Sequence, residues 1–439
     1  MKKIISALIC TAAMLGTVPV YVAAGASKGD VNADGTVNVT DVSLTSAYVK
    51  GRKTLSADAF TAADVNTDGA VNVTDISKLA ANIKGVRSLG VYDSKAEEML
   101  AKMSLHEKIC QLFIVTPEAL TSYDTVTAAD DKMDKALKNY PVGGIILFAK
   151  NLTSVPQTKS LISDTQSRNA KHSSVPLFIS VDEEGGTVAR CAGKLGTTAF
   201  YDMYYYKDMG TQTAYNNAWR IANDIADLGF NLDFAPVADT WSNPNNSVIG
   251  RRAYSNDFKQ AADLIASAVK GFRAGGVACT LKHFPGHGDT ATDSHVGMAC
   301  SYKTIDQLEK QEYLAFRSGI EAGADMVMVG HITMSNIDGL PATISSEMVN
   351  GELRGKLGYN GVVITDGLGM GAVANYYNSA DLAVKCLQAG DDILLIPADM
   401  KAAVKGVEDA VANGTLTVER INESVMRILT LKEKRGILR

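Results

Sequence analysis

The chain has 439 residues, 46% hydrophobic and 21% charged, a composition ordinary for a folded globular protein and unlike that of a disordered one. A formal net charge of -5 leaves no basic footprint for a phosphate backbone, which argues against nucleic acid as a partner. The length allows more than one domain.

The chain opens Met1-Lys2-Lys3, runs apolar from Ile4 to about Leu15 and reaches Ala23-Ala24-Gly25-Ala26. This charged, apolar, small-residue order is that of a secretory signal, so residues 1–26 are expected to direct export to an extracellular location. The apolar run is short and interrupted by Gly16 and Pro19, so no membrane span is expected. The six cysteines, at 10, 110, 191, 279, 300 and 386, include no C-x-x-C pair. They read as small buried hydrophobes and not as a disulfide framework.

An internal repeat follows. Asp30-Val31-Asn32-Ala33-Asp34-Gly35-Thr36-Val37-Asn38-Val39-Thr40-Asp41 recurs as Asp64-Val65-Asn66-Thr67-Asp68-Gly69-Ala70-Val71-Asn72-Val73-Thr74-Asp75. Oxygen ligands at loop positions 1, 3, 5 and 12, a glycine at 6 and a carbonyl at 7 are what a hard cation such as Ca²⁺ requires. The candidate ligands are Asp30, Asn32, Asp34, Thr36 and Asp41 in one copy and Asp64, Asn66, Asp68, Ala70 and Asp75 in the other, for two structural Ca²⁺ ions. Aspartate replaces the usual glutamate at position 12 in both. Helical spacing of apolar residues predicts a helix after each loop, over 42–50 and 76–84. Tandem calcium loops with one following helix apiece resemble a dockerin over residues 28–87, which implies a small all-α module and a cohesin module on a scaffold protein as partner. Val39-Thr40 and Val73-Thr74 then stand where dockerins carry their recognition pair.

After a short linker, 88–91, residues 92–439 show eight short apolar runs separated by longer helical stretches: 111–115, 144–148, 177–182, 232–237, 278–283, 326–331, 361–366 and 393–397. Buried strands alternating with helices in that number predict an α/β fold, a single (β/α)₈ barrel of the TIM type, over an open doubly wound sheet. Asp182, Lys282, His283, His331 and Asp366 end predicted strands. Barrel active sites are built at that mouth.

The stretch from Lys282 to His295 gathers three of the six histidines, and Pro285, Gly286 and Gly288 make it mostly loop. Asp366, flanked by small residues, is placed to act as a nucleophile, as in glycosidases that retain configuration through a covalent intermediate. The acid/base candidate is His295, oriented by Asp293. An imidazole with a reference pKa of about 6.5 passes protons both ways near neutrality.

The motif Lys282-His283-Phe284-Pro285-Gly286-His287-Gly288 followed by Asp293-Ser294-His295 resembles the signature of glycoside hydrolase family 3, in its β-N-acetylhexosaminidase branch. Asp182-Glu183-Glu184-Gly185-Gly186 with Arg190, the run Leu232 to Asp239, Val248-Ile249-Gly250-Arg251-Arg252 and Ile364-Thr365-Asp366 resemble the same branch in the same order. The resemblance implies Asp366 as nucleophile, His295 as mobile acid/base and Asp293 as its partner. It implies Asp182, Arg190, Arg252, Lys282 and His283 as substrate contacts, with His331 beside them or as a strand-end structural residue, while His287 and Asp289 shape the loop. It also implies a terminal β-linked N-acetylglucosamine as substrate, no catalytic cofactor, and a single-barrel enzyme whose Asp-x-His dyad replaces an acid/base from outside the barrel.

Phosphorolysis of the same bond, or cleavage of another β-glycoside, are the alternatives within the family. A histidine acid/base repels an incoming phosphate less than a carboxylate does. From other classes, His283, His287, Asp289, Asp293 and His295 include zinc-binding types. Gly367-Leu368-Gly369-Met370-Gly371-Ala372 matches a dinucleotide fingerprint, but after the wrong strand.

Overall fold

The computed structural model describes residues 27–86, 88, 89, 92, 94–291, 297 and 299–439. The signal reading over 1–26 and the dyad Asp293 and His295 lie outside the described residues. The chain separates into two compact units, the main division falling between Val91 and Tyr92.

In the small unit, helices α1 (Val39–Val49), α2 (Ala57–Ala63) and α3 (Val73–Ile83) pack around Val31, Ala63 and Val71, with Leu44, Tyr48 and Phe60 against them. α1 and α3 begin three residues earlier than the apolar pattern predicts. The reason is a cap: the Asn38 side chain accepts from the Thr40 N–H at 2.7 Å, and the Asp41 carboxylate accepts from the Asn38 N–H at 2.8 Å. Asn72 and Asp75 repeat this at 2.7 and 2.9 Å. The last loop position is thus already the third residue of the helix.

In the large unit, strands β1 (Phe113–Val115), β2 (Gly144–Ile146), β3 (Phe178–Val181), β4 (Leu232–Asp233), β5 (Ala278–Phe284), β6 (Met326–Val329), β7 (Val362–Thr365) and β8 (Leu394–Leu395) form one 8-stranded sheet. Every pairing in it is parallel, in the order β7-β6-β5-β4-β3-β2-β1-β8. The bridge Ile364–Ile393 and the hydrogen bond from the Thr365 N–H to the Ile393 carbonyl (2.9 Å) span the gap between β7 and β8 and nearly close a barrel. Runs such as Met326-Val327-Met328-Val329 and Val362-Val363-Ile364-Thr365 are wholly buried, as strands covered on both faces must be. Helices follow the strands on the outside, among them Val155–Asn169, Thr211–Leu228, Phe258–Ala274 and Ser379–Ala389. β4 and β8 are shorter than their apolar runs because Pro236, which has no N–H to donate, follows one and Ile396, with φ of 45°, follows the other.

The closure rests on Asp392, which is fully buried. Its carboxylate accepts from the Val363 N–H (2.9 Å), Ser424 Oγ (2.6 Å), Arg354 Nη2 (2.7 Å) and Arg427 Nη1 (3.0 Å). It ties β7 and the start of β8 to the last helix, Val418–Lys434. Removing one member of a buried ion network leaves charges without partners. Asp392→Ala is expected to cost about 3 kcal/mol, read as a lower urea midpoint by tryptophan fluorescence. Both tryptophans, Trp219 and Trp241, belong to the large unit, so the signal reports on the barrel.

Candidate active site

A cavity of about 470 Å³ opens at the C-terminal ends of the strands. Ile146 and Phe148 line it from the end of β2 and just after it, Asp182 and Glu184 from the end of β3, Lys282 and His283 from β5, Met328 from β6, Asp366 from the end of β7, and Leu395 and Ile396 from the end of β8 and just after it. Arg190 and Arg252 enter from the loops after β3 and β4. Residues nearly two hundred positions apart converge because parallel barrel strands all end at one mouth.

An ion cluster organises the wall. The buried Lys282 ammonium lies 2.8 Å from Asp182 Oδ1 and 2.6 Å from Glu184 Oε1. Arg252 donates to both oxygens of Glu184 at 2.8 Å, a two-pronged pairing. Burial pushes the Glu184 carboxyl up, but Arg252 and Lys282 outweigh it and hold it well below the ordinary carboxylate range. Lys282 is shifted upward, since Asp182 and Glu184 more than offset its burial.

Asp366 is held differently. Its backbone N–H donates to the Val329 carbonyl (2.8 Å), and its Oδ1 accepts from the Gly367 N–H (2.8 Å). Burial raises its carboxyl, yet His283, His331, the Gly367 N–H and Lys282 together keep it below the usual range. Asp366 is therefore a carboxylate at neutral pH.

Asp239, at the end of the loop from β4, organises the histidine stretch. It accepts from the His283 N–H (3.2 Å), lies 2.7 Å from His283 Nδ1 and accepts from the His287 N–H (2.6 Å). Asn246 Nδ2 donates to the His287 carbonyl (2.7 Å) and Thr290 Oγ1 lies 2.7 Å from His287 Nδ1. A Cβ on Gly288 would stand 1.8 Å from the Thr240 carbonyl oxygen, so only glycine permits this close approach. His287 and Asp289 stand outside the cavity lining, with His287 inside this packing.

His331 is placed behind the cavity and not on its surface. It is buried, with Nδ1 2.9 Å from Thr343 Oγ1 and Nε2 2.9 Å from the Gly367 carbonyl, so it holds the turn that carries Asp366.

Sequence reasoning passed over Glu184 and Asp239 as functional groups. Glu184 lies in a run of three acids, Asp182 to Glu184, whose members face different ways. Glu183 turns inward and accepts from the Arg190, Cys191 and Ala192 N–H groups at 2.6–3.0 Å, fixing the loop that presents Arg190. The alternation of side chains along an extended segment was the available signal. Asp239 closes a quoted motif, but nothing local announces that its partner is His283.

Residues 104–431 match the family model described as glycosyl hydrolase family 3 N terminal domain. The chain belongs to glycoside hydrolase family 3. Residues 28–84 match the dockerin type I domain, so a dockerin precedes the family 3 barrel. Beta-hexosaminidase A of Pseudoalteromonas piscicida is 35% identical over 335 residues, covering 70% of this chain and 56% of that protein. A beta-hexosaminidase of Xylella fastidiosa is 34% identical over 265 residues, covering 59% of this chain and 77% of that protein. Among solved structures, a glycoside hydrolase family 3 beta-N-acetylglucosaminidase from Paenibacillus sp. superposes with a TM-score of 0.72 at 37% identity, over 76% of this chain and 63% of that one. The chain thus spans just over half of one of these relatives and under two thirds of another.

The dockerin loops carry oxygen donors of the kind Ca²⁺ takes. Gly35 and Gly69 adopt φ of 87° and 89° at loop position 6, and Ala33 and Thr67 adopt 56° and 57° at position 4, so both copies wind alike. In the first, Asp30 accepts from the Asp34 and Gly35 N–H groups, Asn32 Oδ1 from the Asp34 N–H and Asp34 from the Thr36 N–H, drawing the donors around one turn. Among the described residues no three His, Cys, Asp or Glu side chains are already placed to hold one metal ion. The donor set and backbone fit a hard cation. Asp30, Asn32, Asp34, Thr36 and Asp41, with their counterparts, are the groups that would hold it.

Glu184→Ala would leave Lys282 and Arg252 facing each other inside the wall. A loss of about 3–5 kcal/mol in stability is expected, read as a fall in the urea midpoint, while Glu184→Gln, which keeps the shape, should fall less.

Proposed function

We propose that the chain is an exported, retaining β-N-acetylglucosaminidase that removes terminal β-linked N-acetylglucosamine and is held on a cohesin scaffold by its dockerin. The reading takes residues 1–26 as signal peptide, 28–87 as the dockerin with two Ca²⁺ ions, 88–91 as linker and 92–439 as the catalytic domain. The observation that carries it is the Asp366 carboxyl lining a cavity walled by both charged and apolar groups, in a family 3 barrel whose relatives are named for this activity.

Asp366 attacks the anomeric carbon and holds the sugar as a glycosyl ester. His295, oriented by Asp293, protonates the departing oxygen and then takes a proton from the water that releases the sugar. Asp182 accepts from sugar hydroxyls, while Arg190, Arg252, Lys282 and His283 donate to hydroxyl or acetamido oxygens. Two arrangements support these assignments. Arg190 lies with its guanidinium 5.9 Å from the Phe148 ring centre and its Nε unbonded among the described residues. The other ring nitrogen of His283, Nε2, is left for substrate because Nδ1 is spent on Asp239.

Hydrolysis of an aryl β-N-acetylglucosaminide, with and without phosphate, tests the reaction. Free sugar is expected in both, and sugar 1-phosphate would reassign the enzyme as a phosphorylase. Asp366→Ala should lower kcat by more than about 1,000-fold. His295→Ala should cost about 100-fold on oligosaccharides and far less on activated aryl glycosides, which need no proton on the leaving group. Because Asp366 is depressed in the folded enzyme, its contribution to kcat/KM is present above that lowered pKa and lost as pH falls through it. The acid limb of the profile should therefore lie below the ordinary aspartate value of about 3.9.

The calcium reading has its own test. Ca²⁺ should raise, and a chelator lower, the melting of α1 and α3 followed by helical circular dichroism, with Asp30→Ala and Asp64→Ala removing the response. Turnover of an aryl glycoside should be the same in both conditions.

A further inference from the structure

A second cavity, of about 450 Å³, adjoins the first, and Arg252 lines both. Its lining includes Thr187, Asp202, Trp241, Asn245, Ser247 and Arg251, groups the catalytic reading does not use. Trp241 stacks edge-on against Tyr204 at 5.1 Å between centres, and its indole Nε1 has no partner among the described residues. Arg251, from the same turn as Arg252, lies 5.4 Å from the Tyr205 ring centre. Tyr205 in turn meets Tyr201 edge-on at 6.2 Å.

Single exposed aromatics are ordinary on a protein surface. This cluster is more than that: Tyr201 is 74% exposed and Tyr205 51%, and both come from one segment, Phe200 to Met209, whose residues also supply Asp202 and Tyr204. The segment is fixed, since Asp202 Oδ1 accepts from the Thr187 N–H and hydroxyl, each at 2.7 Å. Flat rings with a polar edge, beside an indole N–H without a partner among the described residues and the Asn245 carboxamide and Ser247 hydroxyl, suit a ligand with apolar C–H faces and a rim of hydroxyls. A pyranose ring has that chemistry.

We propose that this cavity and its tyrosine rim form an accessory sugar site, which takes further pyranose residues of an oligosaccharide whose terminal residue sits over Asp366. The inference rests on the glycosidase reading of the first cavity. It adds that the enzyme prefers longer β-linked chains to disaccharides, and that the preference resides in Trp241, Tyr205 and Arg251. Arg252 lies in the lining of both cavities, so an oligosaccharide reaching from one to the other would pass along its side chain.

The test is the dependence of kcat/KM on length, from the dimer to the tetramer of β-linked N-acetylglucosamine, with an aryl β-N-acetylglucosaminide as reference. The wild type should gain with length. Tyr205→Ala and Trp241→Ala should lose roughly fivefold or more on the tetramer while keeping the aryl glycoside rate. Tyr205 is half exposed, so its variant stays informative even where Trp241→Ala misfolds. A flat length dependence in the wild type, or equal losses on tetramer and aryl glycoside, would overturn the accessory site while leaving the glycosidase reading intact. Failure of every N-acetylglucosaminide to react would overturn that reading, and this inference with it.

Discussion

The mouth of the barrel depends on one ammonium group held between two carboxylates. Lys282 reaches from β5 to Asp182 and Glu184 at the end of β3, and Glu184 reaches on to Arg252 in the loop after β4. Three strand ends are thereby fixed relative to one another by charge at the mouth of the cavity. Desolvating four charges is expensive. The structure offsets that cost by meeting both Glu184 oxygens with guanidinium donors and sharing Oε1 with the Lys282 ammonium, the geometry in which buried pairs recover most of their solvation.

The same mouth keeps carboxyl groups of two kinds. Glu184, Asp239 and Asp366 are held below their ordinary range by cations and imidazoles close to them. Asp233 and Glu183 are pushed upward, chiefly by burial, and Asp233 further by the Glu183 charge. Position accounts for part of the division: Glu184 and Asp366 line the cavity, Asp239 is buried against His283 and His287, and Asp233 and Glu183 lie behind β3 and β4, where they take backbone N–H groups and shape the loops. Asp366 is in the first class because His283 and His331 act on it while its own turn supplies an N–H.

The barrel was legible in the chain because eight apolar runs separated by longer helical stretches leave few alternatives, and each run coincides with an observed strand. Their lengths were not, since Pro236 and the strained Ile396 cut β4 and β8 short of the apolar pattern. Asp182, Arg190, Arg252, Lys282, His283 and Asp366 do share one cavity, which motif order could announce because parallel strands put their ends together. Glu184 and Asp239 were hidden, for opposite reasons. One lies among acids that composition cannot tell apart, and the other acts on a residue 44 positions away. Only folding shows which of Asp182, Glu183 and Glu184 faces a cation.

The dockerin shows the same economy at smaller scale. Asp41 Oδ2 caps α1 through the Asn38 N–H, while Oδ1 accepts from the Val31 and Asn32 N–H groups at the start of the loop, at 2.7 and 3.3 Å. One buried carboxylate therefore closes the loop and starts the helix, so neither can form without fixing the other. Asp75 repeats the arrangement with Val65, Asn66 and Asn72. At the third helical residue, aspartate reaches the cap and the loop entrance together.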